Sequence, residues 1–141
     1  MRHLEELSHT ADVGFRVRAK SFPGLLYWAA RGLLATLFEA LPKAGEGRAR
    51  VELTAPDRET LLVRFLNELL YLVQTRGRVP VALRIQTARS PEGCRLAAEL
   101  ATVPFDRVAD RFLGEVKSAT YHGLRVEKTE AGFAASVVLD V

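Results

Sequence analysis

The chain has 141 residues, of which 48% are hydrophobic and 26% are charged, as in an ordinary globular domain. No apolar run approaches the roughly 20 residues of a membrane-spanning helix, and residues 1–7 lack the features of a secretory signal. The lone Cys94 excludes a disulfide or paired-cysteine zinc site within one chain, and the formal charge is only +3. We therefore expect one cytoplasmic domain over residues 1–141, with no membrane association and a mild preference for anionic partners.

The first half of the chain predicts a strand, a helix and a second strand. Apolar and polar residues alternate over 12–20, which is typical of a half-buried strand. Ser21 is placed to cap a helix that the pattern extends to Leu41 and Pro42. Within this helix, Gly32 is interpreted as a position of close packing. A short strand over 48–54 follows.

The second half predicts another helix and two antiparallel strand pairs. Asp57 is placed as the N-cap of the helix, whose apolar residues exceed one face and indicate burial on two sides. The predicted strand pairs are 81–89 with 95–103, and 116–128 with 133–139. These elements must share one core, so the fold class is α+β, a single domain of mostly antiparallel β-sheet with two main helices.

Familiar catalytic motifs are missing from the sequence. It has no phosphate-binding glycine loop, no Gly-x-Ser-x-Gly elbow, no His-Glu-x-x-His helix and no paired-cysteine metal spacing. This absence makes an autonomous catalyst the less favoured interpretation.

Two aspartates occupy the ends of predicted strands, Asp12 at the start of the first and Asp140 at the end of the last. If these strands are antiparallel neighbours, the two carboxylates meet beside the Val141 carbonyl or terminal carboxylate. Such an all-oxygen cluster favours calcium, magnesium or manganese over zinc or copper. The alternative is that Asp12 binds turn amides and Asp140 is solvated. A strand continuing to the last residue also predicts that this end is held in the structure.

Four polar side chains leave alternatives open. His9 and His122 could complete a metal site or act as acid or base, although histidines among small polar residues usually make structural hydrogen bonds. Asn67 and Glu68 interrupt the apolar second helix. They form either its solvated edge or a polar seam that faces a partner or the carboxylate cluster, and their spacing does not decide between these.

Four separated motifs resemble the successive signatures of the archease family. They are His-Thr-Ala-Asp at 9–12, Phe-Leu-Asn-Glu-Leu-Leu-Tyr at 65–71, Glu-Val-Lys-Ser-Ala-Thr-Tyr-His at 115–122 and Val-Val-Leu-Asp-Val at 137–141. They occur in the order of the family, and together they span essentially the whole chain.

The resemblance implies a non-catalytic activator of the RtcB-type RNA-splicing ligase. That ligase joins RNA 2′,3′-cyclic-phosphate or 3′-phosphate ends to 5′-hydroxyl ends in tRNA splicing and RNA repair. Archeases are understood to promote guanylylation of a ligase histidine and multiple turnover. The resemblance also implies chaperone-like behaviour, with a tRNA methyltransferase as a second partner, and only indirect contact with RNA.

The resemblance further implies a metal site. Carried over to this chain, the ligands are Asp12, Asp140 and the carbonyl of Val141, with His9 and His122 as surrounding residues. The expected ion is calcium, with magnesium or manganese as alternatives. One departure bears on this site: the family usually has an acid where this chain has Ser8, so the site carries less negative charge and its metal affinity is expected to be weaker.

Two further function classes remain open. A general protein-binding chaperone would present an apolar groove, for which the second helix has enough apolar residues. An RNA-binding module would use a basic sheet surface, but stacking aromatics are not interleaved with the arginines. These arginines are Arg16, Arg18, Arg48, Arg50, Arg84, Arg89 and Arg95.

Overall fold

A computed structural model describes residues 3–7 and 12–141 of the chain. Within these residues there are two α-helices, α1 (Phe22–Leu37) and α2 (Arg58–Gln74). The strands are β1 (Leu4–Leu7), β2 (Asp12–Ala19), β3 (Gly47–Ala55), β4 (Arg78–Ser90), β5 (Gly93–Pro104), β6 (Ser118–Thr120), β7 (Val126–Thr129) and β8 (Gly132–Asp140). Two short 3₁₀ turns lie between β5 and β6.

The strands form two antiparallel sheets. The first has the order β1-β2-β8-β6, with β7 also paired to β8, and the second has the order β3-β5-β4. Both helices contact both sheets, so the core lies where the helix pair meets them. This arrangement confirms the predicted α+β fold with mostly antiparallel sheet and two main helices. Neither helix of the described residues is long and apolar enough to cross a membrane.

Helix α1 begins at the predicted cap but ends earlier than predicted. The Ser21 hydroxyl accepts a hydrogen bond from the Gly24 N–H at 3.1 Å. The helix stops at Leu37, because Phe38 turns to extended backbone and forms an isolated bridge with Phe112. The predicted end at Leu41 and Pro42 is therefore wrong, since a contact far along the chain ends the helix first.

The interior of α1 confirms the close packing predicted at Gly32. A Cβ atom at this position would lie 2.6 Å from Cε2 of the Phe15 ring, which is too close for any side chain without movement of the ring. Phe15 lies on β2, so the missing side chain allows the helix to approach the first sheet closely.

Helix α2 confirms the predicted cap and the predicted burial on two sides. Oδ1 of Asp57 accepts a hydrogen bond from the Thr60 N–H at 2.7 Å. The helix contacts β3, β4 and β5 of the second sheet and β6 of the first. Its buried apolar residues are Leu61, Leu62, Val63, Phe65, Leu66, Leu69, Leu70 and Val73.

The predicted strand over 116–128 is wrong as one element. It is divided into β6 and β7, both of which pair with β8. Between them the chain turns, with the Leu124 N–H donating to the Tyr121 carbonyl at 3.0 Å and Gly123 at a φ of +63°. The glycine permits this left-handed conformation. Strand β1 was also not predicted.

We expect Gly132→Ala to destabilise the protein far more than Gly123→Ala. Both glycines have positive φ, but a Cβ at Gly132 would overlap the Ala19 carbonyl oxygen and lie 2.7 Å from the Lys20 Cα, whereas a Cβ at Gly123 meets nothing within 4 Å. The expected losses in the free energy of unfolding are about 3 kcal/mol and about 1 kcal/mol, because only the first adds overlap to backbone strain. Denaturant unfolding measures both, and equal losses would contradict the packing seen at Gly132.

The N-cap of α2 should make stability depend on pH. Hydrogen bonds from the side chain and backbone of Thr60 lower the pKa of Asp57 below its ordinary value of 3.8. A lowered folded pKa contributes stability that is present above the unfolded value and is lost as pH falls through the folded one. Asp57→Ala should therefore cost about 1 kcal/mol at pH 7. Asp57→Asn should keep the cap, and its free energy of unfolding should fall less steeply with acid than that of the wild type. Urea unfolding between pH 7 and pH 2 measures this. An equally steep fall in the variant would show that Asp57 does not contribute to the pH dependence.

Candidate metal centre

The two aspartates predicted to meet are direct neighbours in the first sheet. Strands β2 and β8 are antiparallel, and Asp12 is the register partner of Asp140. Side chains of directly opposed residues project from the same face, with Cβ atoms roughly 4.5–5.5 Å apart. Both residues are partly exposed. The structure thus brings together the two carboxylates that the sequence placed at separate strand ends.

A third oxygen-bearing side chain lies in the same row. On the other side of β8, Ser118 of β6 is the register partner of Asp140. The Lys117 N–H donates to the Asp140 carbonyl at 2.7 Å, next to this pair. Asp12, Asp140 and Ser118 therefore form one row across three strands. No motif in the sequence marks Ser118, because its place beside Asp140 depends on the pairing of β6 with β8.

The row faces away from the core. Leu139 and Ala119, one position along β8 and β6, belong to the buried core. Because successive side chains of a strand point to opposite faces, Asp140 and Ser118 must project from the outer face of the sheet. The carboxylates are accordingly accessible to an ion or to a partner protein.

The donor set fits a hard divalent cation. Two carboxylates and a hydroxyl supply only oxygen, which calcium and magnesium prefer. Val141 follows Asp140 directly and is 45% exposed. Over residues 3–7 and 12–141 no three His, Cys, Asp or Glu residues come close enough to hold a metal. A cation at this row would therefore depend on hydroxyl, carbonyl or water oxygens besides the two carboxylates.

Of the two histidines expected around the site, the structure describes only His122. His9 lies outside the described residues, as does Ser8. His122 is exposed, and its backbone N–H donates to Oγ1 of Thr120 at 3.3 Å. The structure does not bring His122 into one group with Asp12 and Asp140, and its role beside a metal stays a prediction.

The polar residues of α2 hold the strand next to the carboxylates. Nδ2 of Asn67 donates to the Ala119 carbonyl at 3.3 Å, and Oδ1 accepts from the Ala119 N–H at 2.8 Å. Gln74 makes the same two bonds with Val116, at 2.8 and 3.0 Å. Asn67 is thus neither part of a solvated edge nor part of a seam that faces a partner or the carboxylate cluster, and for Glu68 the two alternatives stay predictions. The two amides bind the backbone of β6 and of the segment leading into it, as a neighbouring strand would.

A third side chain of α2 extends this attachment. Oε2 of Glu59, in the first turn of the helix, accepts a hydrogen bond from the Val126 N–H of β7 at 2.7 Å. The segment from Val116 to Val126 is therefore attached to one helix at three points, and α2 determines where the segment lies.

The arginines proposed for RNA binding do not share one surface. Arg16 and Arg18 belong to β2 of the first sheet. Those at Arg48, Arg50, Arg84, Arg89 and Arg95 lie on the strands of the second sheet. Arg50 also makes hydrogen-bonded ion pairs with Glu52 and Glu99. The arrangement favours a surface of mixed charge over a continuous basic face.

Comparisons with known proteins agree with this fold and these motifs. Residues 4–141 match the archease protein family. The protein archease of Methanosarcina mazei is 33% identical over 141 residues, covering 99% of this chain and 97% of the relative. That of Methanosarcina acetivorans is also 33% identical with the same coverage.

Two solved structures share the architecture. The solution structure of Methanobacterium thermoautotrophicum protein 1598 superimposes with a TM-score of 0.83 at 23% identity, covering 100% of both chains. A Thermotoga maritima crystal structure, described as an archease and possible chaperone, gives 0.62 at 20% identity and covers 100% of this chain and 98% of that one. The match along nearly the whole length, together with the relatives above, shows that this chain belongs to the archease family.

Proposed function

We propose that this archease is a non-catalytic activator of an RtcB-type RNA ligase, acting in tRNA splicing and RNA repair by promoting ligase guanylylation and multiple turnover. The observation that carries the proposal is the direct opposition of Asp12 and Asp140 on the outer face of the first sheet. A carboxylate pair at the end of a sheet can enter a partner's active site, whereas one inside a cleft cannot.

The chemistry of the row supports an accessory role. The row combines the carboxylates of Asp12 and Asp140 with the hydroxyl of Ser118, and all three groups are oxygen donors. The row therefore offers negative charge and oxygen ligands, which suit the positioning of a cation better than the breaking of a bond.

The proposed mechanism is electrostatic. Eight register pairs between β2 and β8 fix Asp12 relative to Asp140, so the two carboxylates do not need to be reorganised when a partner binds. When bound, a divalent cation supplies positive charge that stabilises the charge developing on a transferred phosphoryl group. Asp12 and Asp140 would hold this ion, with the Val141 carbonyl as a further oxygen, and calcium is the ion we expect first.

The proposal is tested by single-turnover guanylylation of the cognate ligase with GTP, with and without this protein. Asp12→Asn and Asp140→Asn should each reduce the acceleration at least about tenfold, equivalent to about 1.4 kcal/mol of transition-state stabilisation. Asp110→Asn, which removes an exposed carboxylate from a 3₁₀ turn elsewhere, is the matched control and should activate normally. Normal activation by both site variants would refute a role for the carboxylates.

A second candidate function is that of a chaperone for a protein partner such as a tRNA methyltransferase. The apolar residues of α2 do not support the expected groove, because most of them are buried between the sheets. What favours this candidate is a set of large exposed apolar side chains. Within the described residues these are Tyr71, Leu113, Tyr121 and Val141.

An aggregation assay on the heated methyltransferase distinguishes the chaperone function from the ligase-activator function. A chaperone that uses the exposed apolar side chains should lose most of its protection in a Tyr71→Ser, Leu113→Ser double variant and retain it in Asp12→Asn. The reverse pattern would assign the protection to the carboxylate row. If the wild type neither protects the methyltransferase nor accelerates guanylylation, both candidates fail.

A further inference from the structure

We infer that Ser118 is an additional oxygen ligand of the cation site and that Asn67 is the residue that positions it. The inference rests on the cation site of the proposed function. It adds one residue of β6 and one residue of α2, whereas the ligands Asp12, Asp140 and Val141 lie on β2 and at the end of β8.

The register of β8 places an oxygen-bearing side chain on each side of Asp140. Ser118 stands opposite Asp140 on one side of β8, just as Asp12 does on the other. Adjacent strands are separated by about 4.8 Å, so an ion held above Asp140 has oxygen-bearing side chains at similar distances on both sides. A serine hydroxyl is an oxygen donor of the class that calcium takes, directly or through a water molecule.

The row places the negative charges of Asp12 and Asp140 side by side. Like charges directly opposite each other in a sheet are destabilising. None of the ion pairs among the described residues includes Asp12 or Asp140. The Ser118 hydroxyl adds oxygen lone pairs to the row without adding a third negative charge. The same residue can therefore serve as a ligand without increasing the repulsion between the two carboxylates.

The position of Ser118 depends on how its strand, β6, is held in the fold. Strand β6 has only three residues, and such a short edge strand has little stability of its own. Asn67 binds both backbone groups of Ala119, the next residue. Asn67 follows the fully buried Leu66 in α2, so the position of its amide is fixed by the core. The core thus determines, through Asn67, where the Ser118 hydroxyl lies.

Gln74 provides an internal control for this role. It makes the same pair of bonds, but with Val116, which is not adjacent to Ser118. Asn67→Leu and Gln74→Met each remove one side-chain amide and keep a similar side-chain size. A purely structural role predicts similar losses of stability and no specific change in ion affinity. A positioning role predicts that only the Asn67 variant weakens ion binding.

The experiment is calcium titration by isothermal calorimetry on the full chain, with unfolding measured in EDTA. We expect Ser118→Ala to weaken calcium binding about tenfold, or about 1.4 kcal/mol, and Asn67→Leu to do the same, while Gln74→Met keeps the wild-type affinity. If Asn67→Leu does not fold, Asn67→Ser replaces it. Ser118→Asp should bind calcium more tightly than the wild type and be less stable in EDTA, because it adds a third carboxylate to the row.

The outcomes distinguish this inference from the proposal on which it rests. If the wild type binds calcium, Asp12→Asn abolishes binding and Ser118→Ala binds like the wild type, the inference is wrong and the cation site stands. If the wild type binds neither calcium nor magnesium at millimolar concentration, both are wrong. Equal weakening by the Asn67 and Gln74 variants would reject the positioning role of Asn67.

Discussion

The antiparallel pairing of β8 is the constraint on which the rest of the first sheet depends. This strand pairs with β2 along eight residues on one side and with β6 and β7 on the other. Its alternate residues Val137 and Leu139 are buried in the core. A shift of one residue would turn Val137 and Leu139 away from the core and Asp140 toward the helices, so packing of the apolar set fixes the register. The position of the carboxylate row is thus a consequence of core packing.

Helix α2 links this sheet to the rest of the molecule in two ways. Its apolar residues fill the core between the sheets, and three of its polar residues bind the backbone of the segment that carries β6 and β7. Edge strands expose unpaired backbone groups, which are liabilities unless something covers them. The amides of Asn67 and Gln74 satisfy backbone groups of this segment in the way a further strand would. Polar residues within an apolar helix therefore have a structural explanation here.

Features governed by neighbouring residues were predictable, and those governed by distant contacts were not. The caps at Ser21 and Asp57 follow a local rule, and the meeting of Asp12 with Asp140 follows once two strand ends are taken as antiparallel neighbours. The sequence did not reveal that Phe112 would end α1, or that Asn67 would bind a strand 52 residues away. The division of 116–128 into two strands was also missed, because the turn at Gly123 depends on a local left-handed backbone conformation that burial periodicity does not report.

The charges of the two sheets differ in a way that bears on function. On the second sheet, Arg50 of β3 stands opposite Glu99 of β5 and pairs with it, which is the stabilising arrangement for exposed cross-strand neighbours. At the end of the first sheet, Asp12 instead stands opposite Asp140, and the same rule predicts a cost in stability. Local rules are commonly broken where function requires it. A cation, or the cationic surface of a partner, would offset this repulsion, and the proposed function would thereby explain why the row keeps two like charges side by side.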